Sequence, residues 1–201
     1  MRMTLASEYH IYWQGPFSLL YPDTDSCFDC PAIDEPGVYL WAFRYLDGYL
    51  VYLAGMTFKR SFARRLPEDR GSLFRGEWTT LDAASAEQGI RSEKWHGTDW
   101  EGYDSPERKA EARRRKDEIK AMALAMLGRM RVFLGPLPRE RRLIARVEAA
   151  IIDRLYDCGT PFSKIPDTGM QRSSRWANEP SITIYSHAPV KFYCIPDRFV
   201  V

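Results

Sequence analysis

The stretch Gly37-Val38-Tyr39-Leu40-Trp41-Ala42-Phe43-Arg44-Tyr45-Leu46-Asp47-Gly48-Tyr49-Leu50-Val51-Tyr52-Leu53-Ala54-Gly55-Met56-Thr57 holds two runs of β-forming residues on either side of Asp47-Gly48. Aromatic and β-branched side chains suit a pleated, half-buried surface. Asp-Gly between two such runs favours a two-residue turn, whose central positions need φ > 0. These residues predict a β-hairpin with strands over 37–46 and 49–56.

Immediately after it, Ser61 is placed to cap a short helix. Phe62 and Leu66 share one face at i, i+4, and Pro67 marks the end. Further on, 76–81 is a strand candidate, 82–88 a short helix closed by Gly89, and 93–95 a short strand. Ser105-Pro106-Glu107 opens a long helix, with cap, proline and acid in the first turn. It should run to about Leu127 and stop at Gly128. Arg-Met-Arg-Val-Phe-Leu over 129–134 is a strand candidate. The segment 139–157 is an amphipathic helix with Leu143, Val147, Ile151 and Leu155 on one stripe. Beyond 158, periodicity survives only at 182–185 and 190–195. The order β-β-α, then a helical insertion, then β-α, implies an α/β (α+β) domain, a small sheet with helices packed on it.

The chain has 201 residues, 45% hydrophobic and 28% charged, enough for one domain with a sizeable core. No apolar run is long enough to cross a bilayer. The first residues lack a signal-peptide core, so a soluble cytoplasmic protein is expected. The net charge of +2 is unevenly spread. Residues 1–36 carry Arg2 against Glu8, Asp23, Asp25, Asp29, Asp34 and Glu35, which leaves a surplus of cations in the rest. Lys59, Arg60, Arg64, Arg65, Arg70 and Arg75 cluster against Glu68 and Asp69 alone. Such a patch suits a phosphate backbone, although exposed charge also keeps helices soluble. Cys27 and Cys30 form one CxxC, while Cys158 and Cys194 are scattered. Without a second close pair a zinc site is not indicated, and reduced, partly buried thiols are expected.

The hairpin resembles the signature of the GIY-YIG nuclease superfamily. Gly37-Val38-Tyr39 matches the first tripeptide, and Leu53-Ala54-Gly55, preceded by Tyr52, falls on the second. The resemblance covers 36–66 and 129–157. It implies a nuclease-like domain over 36–157 with an insertion at 67–128, an N-terminal extension (1–35) packed on the core, and a C-terminal extension (158–201). It assigns Tyr39 on the hairpin, Arg65 on the first helix and Glu148 on the last helix to catalysis. Glu148 would be the ligand of a divalent Mg2+ or Mn2+. Residue chemistry agrees with those roles: hard cations take carboxylate oxygens, and charge developing on phosphoryl oxygens suits a permanently cationic, planar donor. Arg65, rather than Arg64, keeps the family's spacing from Ser61 and Phe62.

The departures are specific. The family's second tyrosine falls at Leu53. Tyr52 is one place off, and adjacent strand residues face opposite sides unless a bulge intervenes. The family's histidine falls at Asp69, so His96 in the insertion is the substitute candidate. Asn178 is the loose counterpart of a late asparagine. DNA, with RNA as an alternative, would bind through Lys59, Arg60, Arg64, Arg113 and Arg114, helped by Arg108, Lys109, Trp95, Trp100 and Trp176. Two functions follow: a metal-dependent DNA endonuclease, or a nuclease-derived binding or scaffolding protein that has lost cutting.

Overall fold

The structure is a computed structural model that describes residues 7–20, 23–99, 104–170 and 172–201. In chain order the strands and helices begin with β1 (Glu8–Tyr12), β2 (Gln14–Phe17), β3 (Gly37–Tyr45), β4 (Gly48–Thr57) and α1 (Phe62–Arg75). Next come β5 (Thr80–Leu81), α2 (Ala83–Ala86), β6 (Glu93–Trp95), α3 (Pro106–Arg114), α4 (Lys116–Arg129), β7 (Met130–Pro136) and α5 (Arg141–Asp157). The chain ends with β8 (Thr183–His187), β9 (Lys191–Phe192) and β10 (Arg198–Val200). The class is mixed α/β. No described helix is long and apolar enough to cross a membrane.

The central sheet has the order β2-β7-β3-β4-β9. β3 is its middle strand, antiparallel to β4 on one side and β7 on the other. Each β3 residue that points one way joins one core. Tyr39, Trp41 and Phe43 pack with Phe62, Leu66 and Leu73 of α1 and Met126 and Leu127 of α4. Val38, Leu40 and Ala42 pack on the other side with Leu143, Val147, Ile151 and Leu155 of α5. Burying each such aliphatic side chain contributes about 1.5–3 kcal/mol, which is why the sheet is covered on both faces. A second sheet, β1-β8-β10, contributes Ile11, Ile184 and Phe199 to the α5 side.

Several expectations need correction. The hairpin turns at Leu46 and Asp47, one residue early, with Leu46 at φ 46° and Tyr45 opposite Gly48. Gly48 is freed for another task, because a Cβ there would collide with the Lys191 carbonyl of β9. α1 does not end at Pro67. The missing N–H costs one helical bond, but buried Leu66, Asp69 and Leu73 keep the helix docked to Arg75. The 105–127 helix is two, divided at Arg115 (φ −98°, ψ 17°), and α4 runs through Gly128. Of 76–81 only Thr80–Leu81 is strand. The N-terminal segment supplies strands to both larger sheets rather than merely packing on them. Finally, Cys158 and Cys194 form a disulfide, with Cα atoms 5.7 Å apart. Folding returns the chain from β9 to the end of α5, a proximity that spacing alone does not reveal. Cys27 and Cys30 are free and buried; burial pushes the Cys27 thiol up to about 12.

Candidate active-site cleft

Along the C-terminal half of β4 lies a cleft of about 880 Å³. Its walls are Leu53–Arg60, Arg65 from α1, the Arg141-Ala145-Glu148 stripe of α5, and Asp167, Gly169, Met170, Arg172 and Ser173 from the C-terminal segment; Trp78 and Asp99 complete it. Residues 141, 145 and 148 share one helical face, next to the buried Val147 stripe. Glu148 therefore sits at the edge of the core, half-buried rather than solvated.

Tyr39 reaches the cleft because its cross-strand partner is Gly55. A Cβ at Gly55 would occupy the space of the phenol ring, so a side chain there would displace the tyrosine. The Tyr39 hydroxyl donates to Asp69 Oδ2 in a short hydrogen bond. Arg65 Nε donates to the same hydroxyl at 3.2 Å, and Arg65 Nη2 lies 3.1 Å from Asp69 Oδ1. Arg65 and Asp69 meet because they stand four apart on α1. Arg64, one position earlier, is exposed and outside the cleft. Burial, reinforced by the Asp69 charge, holds the Tyr39 phenol well above its ordinary value, so it is neutral. Burial raises Asp69 to about 6, against the pull of Arg65 and the Tyr39 hydrogen bond.

Glu148 makes no hydrogen bond or ion pair among the described residues. Burial lifts its carboxyl to about 8, opposed by Arg65 and assisted by Asp69. No group of three or more His, Cys, Asp or Glu among the described residues is arranged to hold a metal ion. An unclaimed carboxylate facing a cationic cleft still fits Mg2+, which keeps several waters and takes one or two carboxylates plus substrate phosphate oxygens.

The second tyrosine position is resolved by a bulge. Trp41 lies opposite Leu53 and Ala42 opposite Val51, so Tyr52 is the extra residue of β4. Tyr52 and Leu53 consequently join the same core as Tyr39. Tyr52 does not line the cleft. Its buried hydroxyl donates to the Thr79 carbonyl at 2.6 Å and lies 3.4 Å from Asp167 Oδ2. Leu53 occupies the cleft wall in its place.

The other candidates divide. Lys59 and Arg60 line the cleft, whereas Arg113 and Arg114 sit exposed on α3, outside it. His96 also lies outside, with Nδ1 2.7 Å from Glu93 Oε2, so it is not the substitute histidine of this cleft. Trp95 is buried beneath Arg108 and Arg115, and Trp176 lies under Arg142. Trp100 falls outside the described residues. Asn178 is exposed and is not among the residues that line the cleft. Sequence reading missed Arg141, Arg172 and Asp167. The first opens a helix whose cleft-facing stripe only Glu148 advertised, and the other two lie in a segment without periodicity.

No family model, characterised protein or solved structure matches this chain.

What the cleft can do chemically follows from its groups. Lys59, Arg60, Arg65, Arg141 and Arg172 face Asp99, Glu148 and Asp167 across it. A cationic surplus around the unclaimed Glu148 carboxyl suits an anionic ligand that brings, or shares, a divalent cation. Arg65 combines a permanent charge with a fixed orientation, since Tyr39 and Asp69 both hold it. That is the pre-organisation required to stabilise charge as it develops.

Proposed function

We propose that this chain is a GIY-YIG-type, divalent-metal-dependent endonuclease that hydrolyses phosphodiester bonds of DNA. The observation carrying this reading is that Tyr39, Arg65 and Glu148, from three elements far apart in sequence, line one cleft. Lys59, Arg60, Arg141 and Arg172 around them would bind the phosphate backbone on either side of the scissile bond. Arg65 would stabilise the phosphoryl oxygens. Tyr39, neutral and fixed between Asp69 and Arg65, would position the reacting groups by hydrogen bonding rather than act as a phenolate. Glu148 would hold the metal, which when bound lowers the pKa of water and polarises the phosphoryl group. In the test, Glu148→Gln should bind DNA as the wild type does yet show no metal-dependent nicking of supercoiled plasmid. Wild-type nicking by that variant would remove Glu148 from the mechanism.

A second reading is supported by Leu53. Its apolar side chain stands on the cleft wall where the family has a phenol, which suits a nuclease-derived protein that binds nucleic acid without cutting it. Wild-type protein that binds DNA through Lys59 and Arg60 but never nicks it, with any divalent metal, would favour that reading.

A further inference from the structure

Hydrolysis needs a group to take a proton from the attacking water, and the cleft narrows the choice. Leu53 has no acceptor. Tyr39 is neutral and donates its hydroxyl hydrogen bond to Asp69. Asp69 is 1% exposed, and both its oxygens are engaged, one by Tyr39 and one by Arg65. Glu148 is committed to the metal. Asp99 is exposed, and its side chain has no hydrogen-bond or ion-pair partner among the described residues. Asp167 differs from all of these. It lines the cleft although it is only 5% exposed, and its Oδ1 is buried with no hydrogen-bond donor among the described residues.

The surroundings of Asp167 are built to hold it. Its N–H donates to the Tyr52 carbonyl at 2.8 Å, and the Tyr156 hydroxyl donates to its own carbonyl at 2.6 Å. Arg91 Nη1 reaches the carbonyls of Ile165 and Pro166 at 3.2 and 3.1 Å, clamping the residues that lead into it. Oδ2 lies 3.4 Å from the Tyr52 hydroxyl. The bulge that swings Tyr52 onto this side of β4 therefore brings a carboxylate with it.

We propose that Asp167 is the general base of the cleft and that Tyr52 and Arg91 are its positioning residues; the inference rests on the nuclease reading above. A water O–H proton passes to the Asp167 carboxylate as the water oxygen forms its bond to phosphorus. The phosphorus–oxygen bond to the leaving group breaks with its electron pair, and the released alkoxide takes a proton from solvent water. Burial, set against the charge of Arg91 and the hydrogen bond of Tyr52, raises Asp167 to about 6, with Glu93 adding to the rise. The carboxylate is then a stronger base than an ordinary aspartate yet still ionised at neutral pH.

The experiment is single-turnover plasmid nicking by wild type, Asp167→Asn, Asp167→Glu and Glu148→Gln, across pH and at several Mn2+ concentrations. Asp167→Asn should lose about 10²–10⁴-fold in rate, with DNA binding kept and the melting temperature at neutral pH not lowered, and Asp167→Glu should recover part of the rate. The wild-type rate should fall as pH drops through about 6, on a limb that Mn2+ concentration does not move and that Asp167→Asn lacks. An Asp167→Asn enzyme that keeps wild-type rate and acid limb, while Glu148→Gln is dead, overturns the role of Asp167 alone. Wild type that does not nick, or Glu148→Gln that does, overturns the nuclease reading and this inference with it. If Asp167→Asn unfolds, Asp167→Glu decides: an acid limb displaced from its wild-type position in that variant supports Asp167, whereas one that keeps the wild-type position, or that shifts with Mn2+, belongs to Asp69 or the metal ligand and counts against it.

Discussion

Two buried tyrosine–aspartate pairs stand on the same face of the hairpin, and each has an arginine beside it. In the first, Tyr39 donates to Asp69, and Arg65 contacts both. In the second, Tyr52 approaches Asp167, while Arg91 holds the backbone leading to it rather than the carboxylate itself. The first pair is saturated, since every oxygen of Asp69 has a donor. The second keeps Asp167 Oδ1 without one among the described residues. Burial raises both carboxyls to about 6, so burial does not distinguish them. What distinguishes them is the use of the arginine. A guanidinium shared between phenol and carboxylate fixes a cation in the cleft, whereas one spent on carbonyls and on Glu93 leaves an oxygen of Asp167 unclaimed.

The largest effect should come from the two arginines. Arg65→Lys keeps the charge but loses the fork that grips Tyr39 and Asp69 together. It should cost about 10²–10³-fold in cleavage rate, while Arg91→Lys should cost less than about tenfold. Equal losses in a nicking assay would erase the difference between the pairs.

The pairs also differ in anchorage. Asp69 rides on α1, whereas Asp167 lies in the segment closed by Cys158–Cys194, a sequence separation of 36. Reduction should destabilise the protein by about 3–4 kcal/mol on the loop-entropy model. Hydrogen exchange should rise around Asp167 before it rises around Asp69. Uniform loss of protection would mean that the disulfide does not serve the second pair in particular.

Legibility in the sequence follows the same division. Residues whose partners are close along the chain were readable: the hairpin from its β-formers, α5 from its stripe, and Arg65 over Arg64 from its distance to Ser61. The Leu46-Asp47 turn was misplaced by one residue because β9, remote in sequence, requires the bare Cα of Gly48. The continuation of α1 past Pro67 depends on tertiary burial of Leu66, Asp69 and Leu73, which overrides a local breaker. Asp69 was visible as an anion in place of a histidine, but its neutralisation by Arg65 was not. Asp167 was invisible. It sits outside any regular element, and its position depends on a bulge and on carbonyl contacts that no side-chain pattern encodes.

A smaller effect concerns pH and stability. Asp69 and Asp167 titrate from about 6 in the folded state against 3.8 as the ordinary value. Their burial therefore favours the protonated form. The stability this contributes is complete below about pH 4 and is lost as pH rises toward 6. The melting temperature should fall across that window, and less steeply in Asp167→Asn, which cannot ionise. An unchanged slope in the variant would mean that Asp167 is not buried as a carboxyl.

Supercoiled plasmid incubated with purified wild-type protein, in EDTA and then with Mg2+ or Mn2+, puts the cleft itself to the test. Open-circular product should form only with the metal and should disappear in Glu148→Gln, whose DNA binding is retained. DNA binding without nicking under any divalent metal, or nicking that persists in EDTA, would contradict a metal-dependent cleft organised around Tyr39, Arg65 and Glu148.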